Sequence, residues 1–218
     1  MADDTATRSL VIAIDGPAAA GKGTIARNVA EVLNLAYLDT GSLYRAVAHA
    51  VICADGNPAD ETDAVTAAKT LDVDAIDPVA IRTREVGAAA SLVAAKPAVR
   101  AELLETQRRI AKHPPKGKAG VVMDGRDIGT VVCPDADVKL FVTASDDARA
   151  HRRWLELKGN TPDLTPQEVL EDLRERDRRD SERAASPLVQ APDATLLDTT
   201  NLSIEAAIQA ALDIVGRR

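Results

Sequence analysis

The sequence is poor in aromatic residues, in cysteine and in long hydrophobic runs. Only 2% of its 218 residues are Phe, Trp or Tyr, so its core must be built from Ala, Val, Leu and Ile. The two cysteines, Cys53 and Cys133, form no CxxC pair, and we expect both to be buried, reduced thiols of a cytoplasmic protein. The longest uncharged apolar stretch, Val86–Ala95, is half of the ~20 residues that a membrane-spanning helix needs. We therefore expect no membrane partner.

The sequence also lacks an excess of positive charge. It has 27 Lys and Arg against 34 Asp and Glu, a formal net charge of −7. Because proteins that bind nucleic acid carry a basic surface, we expect no nucleic-acid partner, and any bound anion must be held by a local cluster. The amino-terminal segment MADDTATR is acidic and has no apolar core, unlike a signal or transit peptide, which favours the cytoplasm. The length suits one large domain, or one core with small insertions.

Five short apolar runs alternate with helical segments along the chain. The runs are Leu10–Asp15, Leu35–Asp39, Val121–Asp124, Val138–Thr143 and Ala194–Asp198. Continuous apolar runs of this length are typical of parallel strands that helices cover on both faces. The alternation predicts an α/β fold with a doubly wound, five-stranded parallel sheet. Helices are predicted over Gly23–Leu33, Ser42–Ala54, Arg84–Lys112, Asp146–Lys158, Thr165–Arg183 and Ser203–Val215.

Two longer segments, residues 54–118 and 149–185, interrupt this alternation. The remaining ranges, 8–53, 119–148 and 186–218, form the predicted core. Both interruptions are long for simple crossovers between strands. They are either mobile flaps over the carboxyl edge of the sheet or helices packed permanently on it, and spacing alone does not distinguish the two.

The strongest motif is the run of residues 16–24 between the first strand and the first helix. Its glycines let backbone N–H groups point at phosphate oxygens, and the helix that follows offers its positive dipole end. Lys22 adds a charge for the terminal phosphates, and the Thr24 hydroxyl is a candidate ligand of Mg²⁺. The motif predicts binding of ATP phosphates by Gly16, Pro17, Ala18, Ala19, Ala20, Gly21, Lys22, Gly23 and Thr24.

Arginine is concentrated in the second interrupting segment. Eight arginines fall between Arg149 and Arg183. Arg176, Asp180 and Arg183 recur at helical spacing, so they share one face of a helix. They form either an exposed ion-pair ladder or a phosphate clamp whose geometry the aspartate fixes. We expect Arg149, like a typical member of the group, to lie on a solvated helix face.

Polar residues also follow the strands at the edge where such sheets bind ligands. Arg126 and Asp127 come directly after the third strand. Asp124 ends that strand and Asp15 ends the first one, and either could hold Mg²⁺ directly or through water beside Thr24. The three histidines of the sequence lie in no setting typical of nucleophilic catalysis.

Five motifs, in order along the chain from Leu10 to Ile214, resemble the bacterial cytidylate kinases, which phosphorylate CMP and dCMP with ATP. They are IDGPAAAGKGT, YLDTGSLYRAVA, IRTREV, VVMDGRDIGTVVCPDADVKLFVTAS and ERDRRDSERAASPL. The resemblance implies a P-loop core, a nucleoside monophosphate (NMP)-binding insertion over residues 54–118 and a small helical lid over 149–185. Many family members carry a small sheet in the insertion. The segment Asp74–Ala80 is too short for it, so we expect a reduced, mostly helical insertion.

The resemblance also implies roles for individual residues. Lys22, Arg126, Arg176 and Arg183 would act on the phosphoryl groups, and Ser91, Arg100 and Asp127 would read the cytosine. The implied CMP-binding residues are Thr40, Tyr44, Arg45, Ser91, Arg100, Arg126, Asp127, Asp180 and Arg183. The implied cofactor is Mg²⁺, used with ATP, and the expected assembly is a monomer, because no apolar surface stripe is left over. The alternatives are a P-loop kinase that acts on AMP or a non-nucleotide acceptor, and a nucleotide-binding module without turnover.

Overall fold

The computed structural model describes residues 9–159, 161 and 163–217, and the acidic amino-terminal segment lies outside them. Its strands are β1 (Leu10–Asp15), β2 (Ala36–Asp39), β3 (Gly120–Gly125), β4 (Val138–Thr143) and β5 (Thr195–Asp198). They form one sheet in the order β2-β3-β1-β4-β5, and every neighbouring pair is parallel. The predicted α/β fold with a five-stranded parallel sheet is confirmed, and each predicted strand ends within one residue of the observed one.

The helices of the described residues are α1 (Lys22–Val32), α2 (Thr40–Cys53), α3 (Glu61–Lys69), α4 (Arg84–Ala94), α5 (Pro97–Lys112), α6 (Asp146–Leu157), α7 (Pro166–Glu182) and α8 (Ile204–Val215). Short helical turns lie at Ala80–Arg82, Pro115–Gly117 and Ile128–Val132. Helix α7 begins with a capping box in which Thr165 and Glu168 each accept a hydrogen bond from the other's backbone N–H. No helix in the described ranges is both long enough and apolar enough to cross a bilayer.

The prediction of one helix over Arg84–Lys112 is wrong, because the chain breaks between α4 and α5. Lys96 has the extended backbone angles φ −85° and ψ 117°, and Pro97 is the first residue of α5. Proline has no backbone N–H and disfavours the helical conformation of the residue before it, so the helix cannot continue through this point. Within the described residues, segment 74–80 contains no strand, as expected for a reduced insertion.

The sheet is buried on both faces, which explains the continuous apolar runs. Ile12 and Ile14 of β1 pack with α1 and α8 on one face. Val11 and Ala13 pack on the other face, against Met123 of β3 and the helical turn 128–132. Because side chains of a strand alternate between faces, a strand covered on both faces must be apolar at every position.

Two further apolar clusters join the interrupting segments to the predicted core. Helices α2 to α5 share one that includes Leu43 and Leu103, both almost completely buried. Helices α6 and α7 share a smaller one in which Leu173 packs with Ala18, a residue of the phosphate loop. Both segments are therefore helical layers packed on the sheet domain in this structure.

The two cysteines have different environments. Cys133 is buried as expected, but the expectation is wrong for Cys53, which is exposed. Cys53 is the last residue of α2, and its sulfur lies 3.5 Å from Nε2 of His49 one turn earlier.

Candidate active site

The phosphate loop joins β1 to α1 in a conformation that requires glycine at its first position. Gly16 has φ 146°, and a Cβ there would lie 1.9 Å from the carbonyl oxygen of Val142. Gly21 precedes α1 with φ 90°, and Ala19 is also left-handed, with φ 58°. These turns bring the loop back over the amino terminus of α1, where N–H groups and the helix dipole favour an anion.

Two carbonyl groups of this loop are bonded to side chains from elsewhere in the fold. Nη1 of Arg149 donates to the Ala18 carbonyl at 3.1 Å, and the Thr199 hydroxyl donates to the Ala20 carbonyl at 3.0 Å. Because these carbonyl oxygens have partners, they do not have to face a bound anion, which they would repel.

An open cleft of about 350 Å³ lies between the loop, the carboxyl edge of the sheet and helices α4 and α7. The predicted site residues that line it are Ala18, Ala19, Gly21, Lys22, Gly23, Thr24, Thr40, Tyr44, Arg45, Ser91, Arg100, Asp124, Arg126, Asp127, Arg176, Asp180 and Arg183. Gly16, Pro17, Ala20 and Asp15 do not line it. The structure thus brings together residues that are more than 160 positions apart in the sequence.

Asp15 supports the backbone beside the cleft. Its two carboxylate oxygens accept hydrogen bonds from the backbone N–H groups of Ile128 and Gly129, at 2.8 and 2.7 Å. Burial raises the pKa of Asp15 to about 6, although both hydrogen bonds act in the opposite direction. With both oxygens engaged in this way, Asp15 is the weaker of the two predicted metal ligands, and the geometry favours Asp124.

Lys22 and Asp124 lie at the base of the cleft. Nζ of Lys22 donates to the carbonyl of Pro17 at 2.7 Å, while Oδ1 of Asp124 is buried without a hydrogen-bond partner. Burial lowers the pKa of Lys22, and the charge of Arg126 lowers it further. Burial raises the pKa of Asp124, and the charge of Asp39 adds to this. Both groups are therefore poorly solvated ionisable groups that a charged ligand could reach.

Arg126, Arg176 and Arg183 surround Asp180 beside these two groups. Nε of Arg126 lies 2.9 Å from Oδ2 of Asp180, and Nη1 of Arg183 lies 3.7 Å from Oδ1. Burial, followed by the charge of Arg126, lowers the pKa of Arg176 to about 9. One carboxylate is thus enclosed by three arginines, so the cluster has a local excess of positive charge. The alternative of an exposed surface ladder does not describe these residues.

Arg100 and Asp127 form a buried ion pair at the other end of the cleft. Nη2 of Arg183 approaches the second oxygen of Asp127 at 3.8 Å, and the Arg100 guanidinium lies 5.3 Å from the centre of the Tyr44 ring. Ser91 of α4 faces the same region, and its buried hydroxyl has no hydrogen-bond partner. This end offers a carboxylate, a guanidinium and a hydroxyl to a polar planar ligand.

Two residues of α2 are fixed by neighbouring backbone. The Thr40 hydroxyl donates to the Asp124 carbonyl at 2.8 Å, and Nη1 of Arg45 donates to the Ile81 carbonyl at 3.2 Å. A Cβ on Gly87 of α4 would lie 3.1 Å from that same Arg45 nitrogen. The small residue at position 87 therefore leaves room for the Arg45 side chain to reach the cleft.

Buried polar atoms without hydrogen-bond partners are concentrated in this cleft. In the described part of the chain, seven side-chain atoms have this property, and six belong to residues that line it. Buried polar groups are normally paired, so unpaired ones need an explanation such as a role in binding a ligand. The six atoms are the Tyr37 hydroxyl, Ser91 Oγ, Arg100 Nε, Asp124 Oδ1, Arg176 Nε and Arg183 Nη2.

Comparison with known proteins identifies the family of this chain. Residues 12–217 match the family model described as cytidylate kinase. The chain belongs to the cytidylate kinase family. A cytidylate kinase of Rhodospirillum rubrum is 54% identical over 209 residues, and one of Xanthobacter autotrophicus is 57% identical over 209 residues. Each alignment covers 96% of this chain and 98% of the relative.

Membership of the cytidylate kinase family confirms the prediction of a nucleoside monophosphate kinase, a transferase. A solved structure of an uncharacterized protein from Eubacterium ventriosum is similar in fold, with a TM-score of 0.56, 13% identity and coverage of 96% of this chain and 99% of that one. At this identity the likeness concerns the fold alone.

Sequence reasoning did not predict every residue of the site, and three of those it missed carry polar groups that matter for the cleft. Tyr37 and Arg153 line the cleft, and Arg149 holds the phosphate loop from outside it. The expectation that Arg149 lies on a solvated face is wrong, because its side chain is 4% exposed. Tyr37 lies in a strand, where an aromatic residue is ordinary, and the two arginines lie among others of the same type. Their roles depend on contacts between distant parts of the chain.

The donor set of the cleft fits Mg²⁺. No group of three or more His, Cys, Asp or Glu side chains suited to a metal occurs among the residues that the structure describes. Mg²⁺ bound with a nucleotide needs no such group, since it keeps waters and takes one or two carboxylates together with substrate phosphates. Asp124 has an unpartnered oxygen, and Thr24 lines the same cleft.

Proposed function

We propose that the protein transfers the γ-phosphoryl group of ATP to CMP or dCMP and releases ADP with CDP or dCDP. The observation that carries this proposal is the convergence of six buried, unpartnered polar atoms on one cleft beside a phosphate loop. Leaving such atoms unpaired is costly, so the cleft is built for a highly polar ligand. Two nucleotides that meet at their phosphates have this chemistry, and the family relationship supplies the substrate class.

The donor nucleotide would bind by its phosphates to residues 16–24. Backbone N–H groups and the start of α1 would accept the negative charge, and Lys22 would contact the terminal phosphates. Thr24 and Asp124 would hold Mg²⁺, directly or through water. When bound, Mg²⁺ would neutralise charge on the triphosphate.

The acceptor phosphate would bind to Arg45, Arg126 and Arg183, with Arg176 near the group in transfer. An oxygen of the acceptor phosphate attacks the γ-phosphorus, the bond from that phosphorus to the β–γ bridging oxygen breaks, and ADP leaves. The acceptor is already ionised near neutral pH, so no protein base is required. The arginines contribute by offsetting the repulsion between two anions and aligning them.

The acceptor base would be read at the end of the cleft formed by Ser91, Arg100 and Asp127. Cytosine carries an amino group that donates to a carboxylate, and acceptors at N3 and O2 that suit a guanidinium or a hydroxyl. Uracil has a carbonyl in place of the amino group, which Asp127 would repel. Thr40, Tyr44 and Asp180 would border the ribose.

We also propose that residues 54–118 form the NMP-binding insertion and residues 149–185 the lid, on a core of residues 8–53, 119–148 and 186–218. Two different apolar clusters support this division, one that joins α3 to α5 with α2 of the core and one that joins α6 and α7 with Ala18 of the phosphate loop. We expect the enzyme to act as a monomer in the cytoplasm, where the unpaired thiols of Cys53 and Cys133 are typical.

The proposal is tested by measuring ADP release with CMP, dCMP, UMP, AMP and shikimate as acceptors, each with and without Mg²⁺. We expect Mg²⁺-dependent turnover with CMP and dCMP, and much slower turnover with the other acceptors. Preference for AMP or shikimate would assign the site to another P-loop kinase reaction. ATP binding without turnover of any acceptor would indicate a nucleotide-binding module.

A further inference from the structure

Arg149 of α6 is buried although it does not line the cleft. Its side chain is 4% exposed, and all three guanidinium nitrogens are bonded. Nε donates to the Ala144 carbonyl at 3.1 Å, and Nη2 donates to Asp146 at 2.6 Å. Nη1 donates both to the Ala18 carbonyl, at 3.1 Å, and to Oδ2 of Asp177 in α7, at 2.5 Å. One arginine therefore links α6, α7 and the phosphate loop.

Asp177 completes the contact with the loop. Its other oxygen, Oδ1, accepts a hydrogen bond from the Ala18 N–H at 3.4 Å. Both backbone polar groups of Ala18 are thus held by the Arg149–Asp177 pair. The following residue, Ala19, is left-handed with φ 58°, a conformation that costs energy for a residue with a Cβ and needs support from its surroundings.

The same pair fixes the orientation of α7. Asp177 directly follows Arg176 and precedes Asp180 by three residues, so contact between Asp177 and the loop sets which way this part of the helix faces. Arg176 and Asp180 line the cleft, whereas Arg149 and Asp177 do not. The pair contacts the loop on the donor side, while the acceptor end is anchored separately by the Arg126–Asp180 contact.

We propose that Arg149 and Asp177 are positioning residues that hold the phosphate loop and the cleft face of α7 in register for phosphoryl transfer. The inference rests on the proposed kinase function. The pair touches neither reacting group. It acts by keeping the Ala18 carbonyl turned away from the nucleotide phosphates and Arg176 turned towards them. A purely structural pair would instead affect folding and leave the kinetic constants of the folded enzyme unchanged.

The test uses the full chain with Arg149→Lys, Asp177→Asn and the double variant. We expect each single variant to raise the Kd of Mg²⁺-ATP, measured by calorimetry, and to lower kcat, each by about tenfold, the size expected from losing one charge-assisted hydrogen bond. The Kd of CMP should stay within twofold. Because both substitutions remove the same contact, the double variant should be little worse than either single variant.

Arg174→Lys is the matched control. Nε of Arg174 lies 3.0 Å from Oδ2 of Asp146, the carboxylate that Arg149 also contacts. The Arg174 side chain is 58% exposed and does not reach the loop. We expect its Kd for ATP and its kcat to match the wild type. Variants with a lower melting temperature but the wild-type Kd for ATP and the wild-type kcat would overturn the proposal. An equal rise in the Kd values of ATP and CMP would also overturn it. Wild-type protein that binds ATP without turning over CMP would instead contradict the proposed function.

A measurement on the wild type covers the case in which these variants do not fold. Amide exchange in the nucleotide-free enzyme should show the Ala18 N–H protected, because Asp177 accepts its hydrogen bond. Rapid exchange of that amide would overturn the proposal. The variant Asp177→Glu, which keeps the charge and moves it by one methylene, should fold and again raise the Kd of ATP more than that of CMP. If it left both values unchanged, the proposal would be wrong.

Discussion

Helix α7 carries two sets of arginine–carboxylate pairs, one facing the cleft and one facing solvent. In the cleft, Arg126 lies 2.9 Å from Asp180, and the two side chains are 18% and 7% exposed. On the solvent face, Arg178 lies 2.9 Å from Glu175 and 3.0 Å from Glu182, and all three side chains are about half exposed or more. The distances are alike, so burial and not distance distinguishes the two sets.

The two sets also differ in the hydrogen bonds that they leave unmade. Arg178 uses all three guanidinium nitrogens on its two glutamates. In the cleft, Nε of Arg176 and Nη2 of Arg183 are buried without hydrogen-bond partners. Residues that serve only the fold would show the opposite pattern, because unpaired donors are costly when buried and harmless when exposed. The cleft face is therefore arranged for a ligand.

The substitution Arg126→Ala is the strongest test of the difference between the cleft-facing and the solvent-facing pairs of α7. This change removes a donor to the acceptor phosphate and leaves Asp180 buried without its closest partner. We expect kcat/KM for CMP to fall by about 10²–10³-fold, in line with the loss of one preorganised donor from an active site. The melting temperature should fall as well, because the unpaired carboxylate is buried. Steady-state assays measure the first effect and thermal melts the second. A kcat/KM equal to that of the wild type would contradict the proposal that Arg126 binds the acceptor phosphate.

A pH series separates the effect of burial from that of neighbouring charge. Asp15 is buried without an arginine partner, and burial raises its pKa to about 6. Asp180 is also buried, but Arg126, Arg176 and Arg183 outweigh the effect of burial and lower its pKa. The contribution of Asp15 to the free energy of unfolding is therefore complete below pH 3.8 and is lost as the pH rises through about 6, an effect of at most about 3 kcal/mol.

Denaturant unfolding of the wild type and Asp15→Asn between pH 4 and 7.5 measures this contribution. The wild type should gain stability relative to the variant as the pH falls through 6. Asp180 should add no pH dependence in this window, since its own contribution is present above pH 3.8 and is lost only as the pH falls through its lowered pKa. A constant difference between the two proteins from pH 4 to 7.5 would show that Asp15 does not titrate there.

The substitution Asp127→Ala tests whether a buried ion pair of the cleft determines the preference for CMP over UMP as well as stability. Asp127 pairs with Arg100, and its second oxygen faces Arg183. Loss of the carboxylate should remove the repulsion of uracil, so we expect the ratio of kcat/KM for CMP to that for UMP to fall about tenfold, the value of one charged hydrogen bond. The Kd of ATP should stay within twofold. An unchanged CMP-to-UMP ratio would contradict the assignment of the base site.

The sheet could be predicted from the sequence because a strand that is buried on both faces is a continuous apolar run. Such a run, as in β1, is visible in a few consecutive residues. The phosphate loop could be predicted for the same reason, since Gly16 and Lys22 act within a single turn of the chain. The single helix predicted over residues 84–112 is wrong because Pro97, within a segment of otherwise helical composition, starts a new helix after the extended residue Lys96.

The environment of individual arginines could not be predicted in this way. Arg149 and Arg178 are alike in type and neighbourhood, yet one is 4% exposed and the other 56%. The difference arises from Ala18, which is 131 positions from Arg149 in the sequence. A helical period places residues on a face, but it does not say which partner covers that face. Helical spacing and the end of the third strand singled out Arg126, Arg176 and Arg183, and the resemblance to a family implied their roles, while the residues that support the loop had no such signal.

Arg178→Ala should have the smallest effect, and it completes the comparison. The pairs that Arg178 forms with Glu175 and Glu182 are exposed, so water replaces them at little cost and salt already screens them. We expect kcat/KM within twofold of the wild type and a melting temperature within about 2 °C, the shift typical of an exposed pair. In melts at low and high salt, the difference in melting temperature between the variant and the wild type should become smaller as the salt concentration rises. A loss of activity comparable to that of Arg126→Ala would mean that burial does not separate the two faces of α7, and that the solvent-facing ladder also acts on the nucleotides.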